Sequence, residues 1–278
     1  MLDNFVNKYD SVAVCGCWRF GTTAVSSKIT EHLRKNGHAT EELDEFFAGH
    51  QYYTRDSVGH LKTNFMPDNY LMLGSGDGLD ILVSRPIAPG LFLSKMAWLN
   101  RQVLTTKVVF KIDPPDWNGQ YAASMEKSIL ENRRVYKIGV NRKDVGNALI
   151  SCLIGKFFNF WNHDRETLNV EYNKPVIPVT VEMKHVYEIF DAMITHNHWL
   201  WCEKERIDKL VWYDEIENLR IPEMGLVDDI ECWSAKHRSL HYDRAKKYFI
   251  NYEDVIHMAN TVQHNLDGLI ESVRLRYI

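Results

Sequence analysis

The chain has no apolar run near the roughly 18 residues that a membrane span needs. It also has no excess of positive charge. The 33 Lys and Arg against 37 Asp and Glu leave a net charge of −4, which points away from a nucleic-acid partner. An anionic ligand would therefore have to find local positive groups. Cysteine is sparse and odd in number: five residues, Cys15, Cys17, Cys152, Cys202 and Cys232. That argues against a disulfide framework, and Cys15-Gly-Cys17 lacks the CxxC spacing of a redox or zinc pair. The pair reads as two small buried residues at a strand end. No His, Cys and carboxylate cluster has metal-ligand spacing. His196-Asn-His198 reads as polar helix surface, because positions i and i+2 do not share a helix face. Met1-Leu-Asp-Asn-Phe5 lacks the basic start and apolar run of a secretory leader, so a soluble cytoplasmic protein is expected. With no linker, low-complexity tract or repeat, 1–278 is expected to be one domain.

What is present is an ordinary globular composition, 45% hydrophobic and 25% charged, enough for a sizeable core. The rest of the chain is read around Val12-Ala-Val-Cys-Gly-Cys-Trp-Arg-Phe-Gly-Thr-Thr-Ala-Val25. This stretch predicts an apolar strand, a glycine-punctuated turn and a helix start. Gly16, four residues, then Gly21-Thr22-Thr23 has the spacing of a phosphate-binding loop. In such a loop backbone N–H groups converge on an anion at a helix N-terminus. A triphosphate-hydrolysing loop carries a lysine where Thr22 stands, and here the only cation is Arg19. The pattern suits a phosphate beside a transferable group better than a magnesium–triphosphate. The alternative is a tight strand-to-helix turn with glycines for backbone reasons only.

In chain order, 11–16 is predicted as a strand and 22–36 as a helix with Val25, Ile29 and Leu33 on one face. Arg34 and Lys35 sit in its last turn, and Gly37 closes it. An extended return over 38–43 leads to Asp44-Glu45-Phe46-Phe47, where aromatic neighbours would raise a carboxylate's pKa and make it a better base. The alternative there is a surface acid beside two core phenylalanines. Within 48–106, expected to hold the acceptor-binding insert, 51–54 and 74–78 read as loops, 80–84 as a strand and 91–103 as a helix. A strand over 107–112 ends near Lys111, followed by a helix over 124–134 and a strand over 135–140. Asn141-Arg142-Lys143-Asp144 follows, then a helix over 145–161 with Ser151 on its second turn. A polar loop (162–180), a helix (181–206, with Trp199 and Trp201 as packing residues) and a strand (208–213) come next. A helical C-terminal extension over 217–278 holds two further patterns.

Alternating strands and helices predict an α/β fold: a P-loop-type parallel sheet flanked by helices on both faces. Ligands in such sheets bind outside the carboxyl ends of the strands. Arg19, Glu45, Lys111 and Arg142 all end or follow predicted strands or extended returns, so they are expected on one edge.

These residues carry a resemblance to the sulfotransferases that use 3′-phosphoadenosine 5′-phosphosulfate (PAPS), and among them to the bacterial trehalose-type group and its phage-encoded relatives. Trp18-Arg-Phe-Gly-Thr-Thr23 resembles the family's Gln/Pro-Arg-Ser-Gly-Ser/Thr-Thr loop, with Phe20 in place of the serine. Asn141-Arg-Lys-Asp-Val-Gly-Asn-Ala-Leu-Ile-Ser151 resembles the phrase whose arginine, and a serine nine residues later, hold the 3′-phosphate. The segment from Gly37 to Phe47 resembles the one whose glutamate is the general base, which points to Glu45. Val109-Phe-Lys-Ile112 resembles a strand ending in lysine. Leu210-Val-Trp-Tyr-Asp-Glu-Ile216 and Tyr252-Glu-Asp-Val255 each resemble a Tyr-Glu-Asp phrase, read as structural.

The resemblance implies sulfuryl transfer to a hydroxyl or amine, with a carbohydrate as candidate acceptor and 3′-phosphoadenosine 5′-phosphate (PAP) as product. Backbone amides of Arg19, Phe20, Gly21, Thr22 and Thr23, with the two threonine hydroxyls, would hold the 5′-phosphate. Arg19 and Lys111 would offset charge growing on the sulfuryl group. Arg142 and Ser151 would clamp the 3′-phosphate, and Glu45 would take the acceptor proton. No metal is required. Two other classes stay open: an atypical P-loop small-molecule kinase and a non-catalytic nucleotide-binding protein.

Overall fold

The apolar run Ser11–Gly16 folds as β1, the middle strand of a 5-stranded sheet. Every one of its residues is buried, as in a strand covered on both faces. The computed structural model describes residues 2–38, 40–45, 51–55, 61–65, 70–74, 80–84, 103–109, 129–158, 175–227 and 241–278. For 41–45, the strands between 51 and 109, and 241–244 it describes backbone only. Helix α1 (Leu2–Lys8) precedes β1, and α2 (Thr22–Lys35) follows it. Gly37, at φ 82°, turns the chain out of α2 in the left-handed conformation that glycine adopts freely. The chain then enters β2 (Thr40–Glu45). Two antiparallel hairpins come next: β3 (Gln51–Arg55) with β4 (Leu61–Phe65), and β5 (Tyr70–Gly74) with β6 (Asp80–Ser84).

The sheet resumes with β7 (Val103–Val109) and β8 (Val135–Asn141). Helices α3 (Val145–Phe158) and α4 (Met183–Cys202) lead to β9 (Lys209–Trp212). Helices α5 (His241–Tyr248) and α6 (Tyr252–Arg276) end the chain. The sheet order is β2-β7-β1-β8-β9, and every pairing is parallel. All five strands therefore end on the same edge. From β1 the chain crosses to β2 on one side. From β8 it crosses to β9 on the other. Connections that leave neighbouring strands in opposite directions mark a topological switch point, here between the ends of β1 and β8, where such sheets bind ligands.

Apolar composition explains the packing. In α3 every residue from Val145 to Gly155 except Asn147 is buried, as in a helix enclosed all round. Helix α6 buries Val255, Ala259, Val262, Leu266, Ile270 and Val273, a single stripe at spacings of three and four. It lies against α3 so closely that a Cβ on Gly146 would stand 3.0 Å from the Ala259 carbonyl oxygen. Within the expected C-terminal extension, the buried stripe of α6 is thus part of the core. Cys15 and Cys17 are fully buried, as their context predicts. Among the described residues no helix is long and apolar enough to cross a membrane.

Several elements differ from the sequence expectation. Residues 51–54, expected as a loop, lie in β3, where the Tyr-Tyr-Thr run follows its β propensity. Strand β7 begins at Val103, so the last residues of the expected 48–106 insert belong to the sheet, and a helix cannot run to Val103. The helix expected to reach 134 stops short. Residues 131–134 form a turn, closed by the Val135 N–H donating to the Asn132 carbonyl at 3.2 Å. Helix α4 is shorter than 181–206, and Lys204–Arg206 is a 3₁₀ turn. Trp199 is half-buried, but Trp201 is exposed, with Arg276 over its ring at 4.5 Å. The expected features at 46–47, 75–78, 91–102, 110–112, 159–161 and 162–174 lie outside the described residues.

Candidate functional site

The turn between β1 and α2 is built from two left-handed residues. Arg19 has φ 63° and is the one non-glycine at positive φ among the described residues; Gly21 has φ 95°. An L-residue in that region is strained and persists only where its surroundings hold it. The surroundings here are tight. A Cβ on Gly21 would stand 2.5 Å from Ile216 Cδ1 and 2.9 Å from Tyr213 Cδ2. A Cβ on Gly16 would stand 2.5 Å from Thr22 Cγ2. Both glycines of the spaced pair are thus required by close approach. Helix α2 starts after Gly21 with no side-chain cap. Thr22 is buried, Thr23 is exposed and Arg19 is half-buried. Phe20 points its ring into the core, fully buried and edge-on to His196 at 5.4 Å. Phe20 therefore anchors the loop from within.

The second half of the site is the turn after β8. Arg142 is buried, and a buried guanidinium is tolerable only when hydrogen-bonded. Its Nη1 donates to the Arg19 carbonyl at 3.0 Å. Its planar group lies over the Tyr213 ring, 4.1 Å from the centroid, and Nη2 is 3.8 Å from Asp144 Oδ2. The backbone N–H of Arg142 donates to Asn141 Oδ1 at 2.9 Å. Asn141 in turn donates to Asn197 Oδ1 of α4 at 2.8 Å. Asp144 Oδ1 accepts from the Asn147 N–H at 3.1 Å and so caps α3. Ser151 is buried one turn further along α3.

A buried thiol and a buried imidazole lie between the two turns. Cys152 Sγ donates to the Trp18 carbonyl at 3.6 Å. Burial pushes the Cys152 thiol up to about 12, against the opposing pull of the Arg19 and Arg142 charges. His196 donates from Nε2 to the Val140 carbonyl at 2.9 Å while its ring meets Phe20. Burial holds its pKa down near 4, partly offset by that hydrogen bond.

His196 corrects the expected polar helix surface: it is fully buried, and so is Asn197. The signal was in the spacing. Val186, Ile189, Met193, His196 and Leu200 form one stripe of α4, with His196 in step with the apolar residues. The sequence also gave no sign that Tyr213 would serve two neighbours, the loop glycine and the guanidinium. The phrase around Tyr213 therefore packs on the site, whereas Tyr252 opens α6 with its hydroxyl donating to Glu253 Oε1 at 3.1 Å. Two polar anchors from α2 hold the chain after β9: Lys28 Nζ donates to the Glu217 carbonyl at 2.5 Å, and His32 Nε2 to that of Met224 at 3.0 Å.

Of the expected site residues, the structure brings Arg19, Phe20, Gly21, Thr22, Thr23, Arg142 and Ser151 to the ends of β1 and β8 or the helices that follow. Glu45 ends β2 on the same edge, its backbone opposite Lys107 of β7. Two strand spacings separate β2 from β1, about 10 Å. The Glu45 side chain and the whole of Lys111 lie outside the described residues. Among the described residues no three His, Cys, Asp or Glu side chains gather as a metal site would need. A search against protein-family descriptions finds no match for this chain, and a search of curated proteins finds none either.

Proposed function

We propose that this protein is a sulfotransferase built on a P-loop-type sheet, taking PAPS as sulfuryl donor and a hydroxyl or amine, with a carbohydrate as candidate class, as acceptor. The observation that carries the proposal is the hydrogen bond from Arg142 to the Arg19 carbonyl. It joins the two phrases that resemble phosphate-binding ones, 123 residues apart, at the switch point where parallel sheets bind ligands. A nucleotide with phosphates at two positions needs such a pair.

The chain's own groups fit that ligand. Left-handed residues at Arg19 and Gly21 shape the loop, and the helix behind it carries no side-chain cap. Backbone amides of 19–23 and the hydroxyls of Thr22 and Thr23 would hold the 5′-phosphate. A guanidinium has five N–H donors, so the bond from Arg142 to Arg19 is compatible with a phosphate contact shared with Ser151. The bound donor would supply an activated sulfuryl group. Arg19 and Lys111 would offset negative charge there, and Glu45 would hold the acceptor hydroxyl and take its proton.

Thermal unfolding with PAP, and separately with ATP–magnesium, tests this on the wild type and Arg142→Ala. At 100 times the dissociation constant a ligand stabilises the fold by about 2.7 kcal/mol. In a chain of this size that raises Tm by about 5–10 °C. The expected result is such a shift with PAP, lost in Arg142→Ala. A shift with ATP–magnesium alone would overturn the proposal in favour of a kinase. No shift with either would remove the nucleotide.

A further inference from the structure

The turn that carries Arg142 is held from outside by one side chain of the C-terminal helix. Gln263 Oε1 accepts from the Gly146 N–H at 3.0 Å, and Gln263 Nε2 donates to the Lys143 carbonyl at 2.8 Å. Nε2 also donates to Asp267 Oδ1 at 2.7 Å, one turn along α6. The partners fix which way the amide faces. A carbonyl and a carboxylate only accept and a backbone N–H only donates, so no flipped amide satisfies all three. The amide therefore spans residues 143 to 146 from both sides. This reach needs α6 to lie close to α3, and glycine at position 146 allows it, the Ala259 carbonyl oxygen standing 3.0 Å from where a Cβ would be.

What the bridge fixes matters for Arg142. Asn141 is held to α4 through Asn197, and the residues after Arg142 are held to α6 through Gln263. Arg142 lies between these two fixed points, and from there its Nη1 reaches the Arg19 carbonyl. We infer that Gln263 is a positioning residue: by bridging the Lys143 carbonyl and the Gly146 N–H it holds the turn in the one setting from which Arg142 reaches both the β1 loop and the 3′-phosphate of the nucleotide. The role in nucleotide binding rests on the sulfotransferase reading above; the role in placing Arg142 does not.

The test compares dissociation constants for PAP and for adenosine 5′-monophosphate, which lacks the 3′-phosphate, by titration calorimetry on the wild type, Gln263→Met and Gln263→Glu. Methionine keeps the length and removes all three bonds. Glutamate keeps the acceptor for Gly146, loses the donor to Lys143, and serves if the methionine variant fails to fold. The expected result is PAP weakened about tenfold, the scale of losing one or two hydrogen bonds, with the monophosphate unchanged. A purely structural role would weaken both nucleotides equally and leave the ratio intact, which would overturn the inference. Wild type without preference for PAP would overturn the sulfotransferase reading instead. A ligand-free double-mutant cycle in urea between Gln263→Met and Arg142→Ala then decides the positioning role. Non-additive losses support it and additive losses overturn it.

Discussion

Two helices start at the same edge of the sheet, one strand apart, and they are finished differently. Helix α3 is closed by the protein's own side chains, the Asp144 carboxylate on the Asn147 amide and the Gln263 oxygen on the Gly146 amide. Helix α2 starts from a left-handed glycine with no side-chain cap. The start of α2 offers backbone and a helix dipole, which suit an anion. The turn before α3 offers a guanidinium instead, and its own backbone is held by hydrogen bonds on both sides.

The strongest way to break this contrast is Gly21→Val. It forces a branched side chain to φ 95° and into Ile216 and Tyr213. The expected loss is about 4 kcal/mol, combining backbone strain with overpacking, read as a lower urea midpoint. A loss under 1 kcal/mol would show that the loop relaxes and that its left-handed shape is not imposed.

A second test probes the bridge between the two turns. His196 touches Phe20 of one turn and the carbonyl of Val140, at the end of β8, below the other. Its folded-state pKa lies near 4, below the ordinary 6.5 that the unfolded chain would show. The unfolded chain therefore takes up the proton first. Stability from this group is complete above pH 6.5 and is lost as pH falls toward 4, by roughly 3 kcal/mol. Urea midpoints across that range should fall steeply in the wild type. In His196→Asn the curve should start lower and be flatter. Equal slopes would mean that His196 is not the group responsible.

The smallest expected effect sharpens the contrast. Asp144→Ala removes the cap on α3 and should cost about 1 kcal/mol. Because Asp144 also stands 3.8 Å from Arg142, its loss leaves the guanidinium more available, so PAP affinity should hold or rise. A fall in affinity on calorimetry would mean that the cap positions the arginine.

Much of this arrangement was legible in the chain. β1, α2, β8 and α3 follow from apolar runs punctuated by glycine and polar turns, and those four elements carry most of the site. What was not legible depended on partners far away in sequence. No local pattern says that Gln263 will meet Lys143, or that Tyr213 will lie under Arg142 and against Gly21. His196 is legible not from its spacing to His198, which is exposed, but from the apolar stripe of α4 with which it is in step. β3 was misread because tyrosine and threonine suit a strand as well as a polar loop.

The position of β1 also sets a schedule for synthesis. This strand has six buried residues and needs neighbours on both sides, yet its first partner, β7, begins only at Val103, and β8 only at Val135. At about 5–20 residues per second, roughly 4–17 s pass between the emergence of β1 and the first residue of β7. During that interval an apolar strand has no place in a sheet. The segment that shapes the loop is thus the first sheet strand made, yet it gains its second neighbour only when β8 follows at Val135–Asn141.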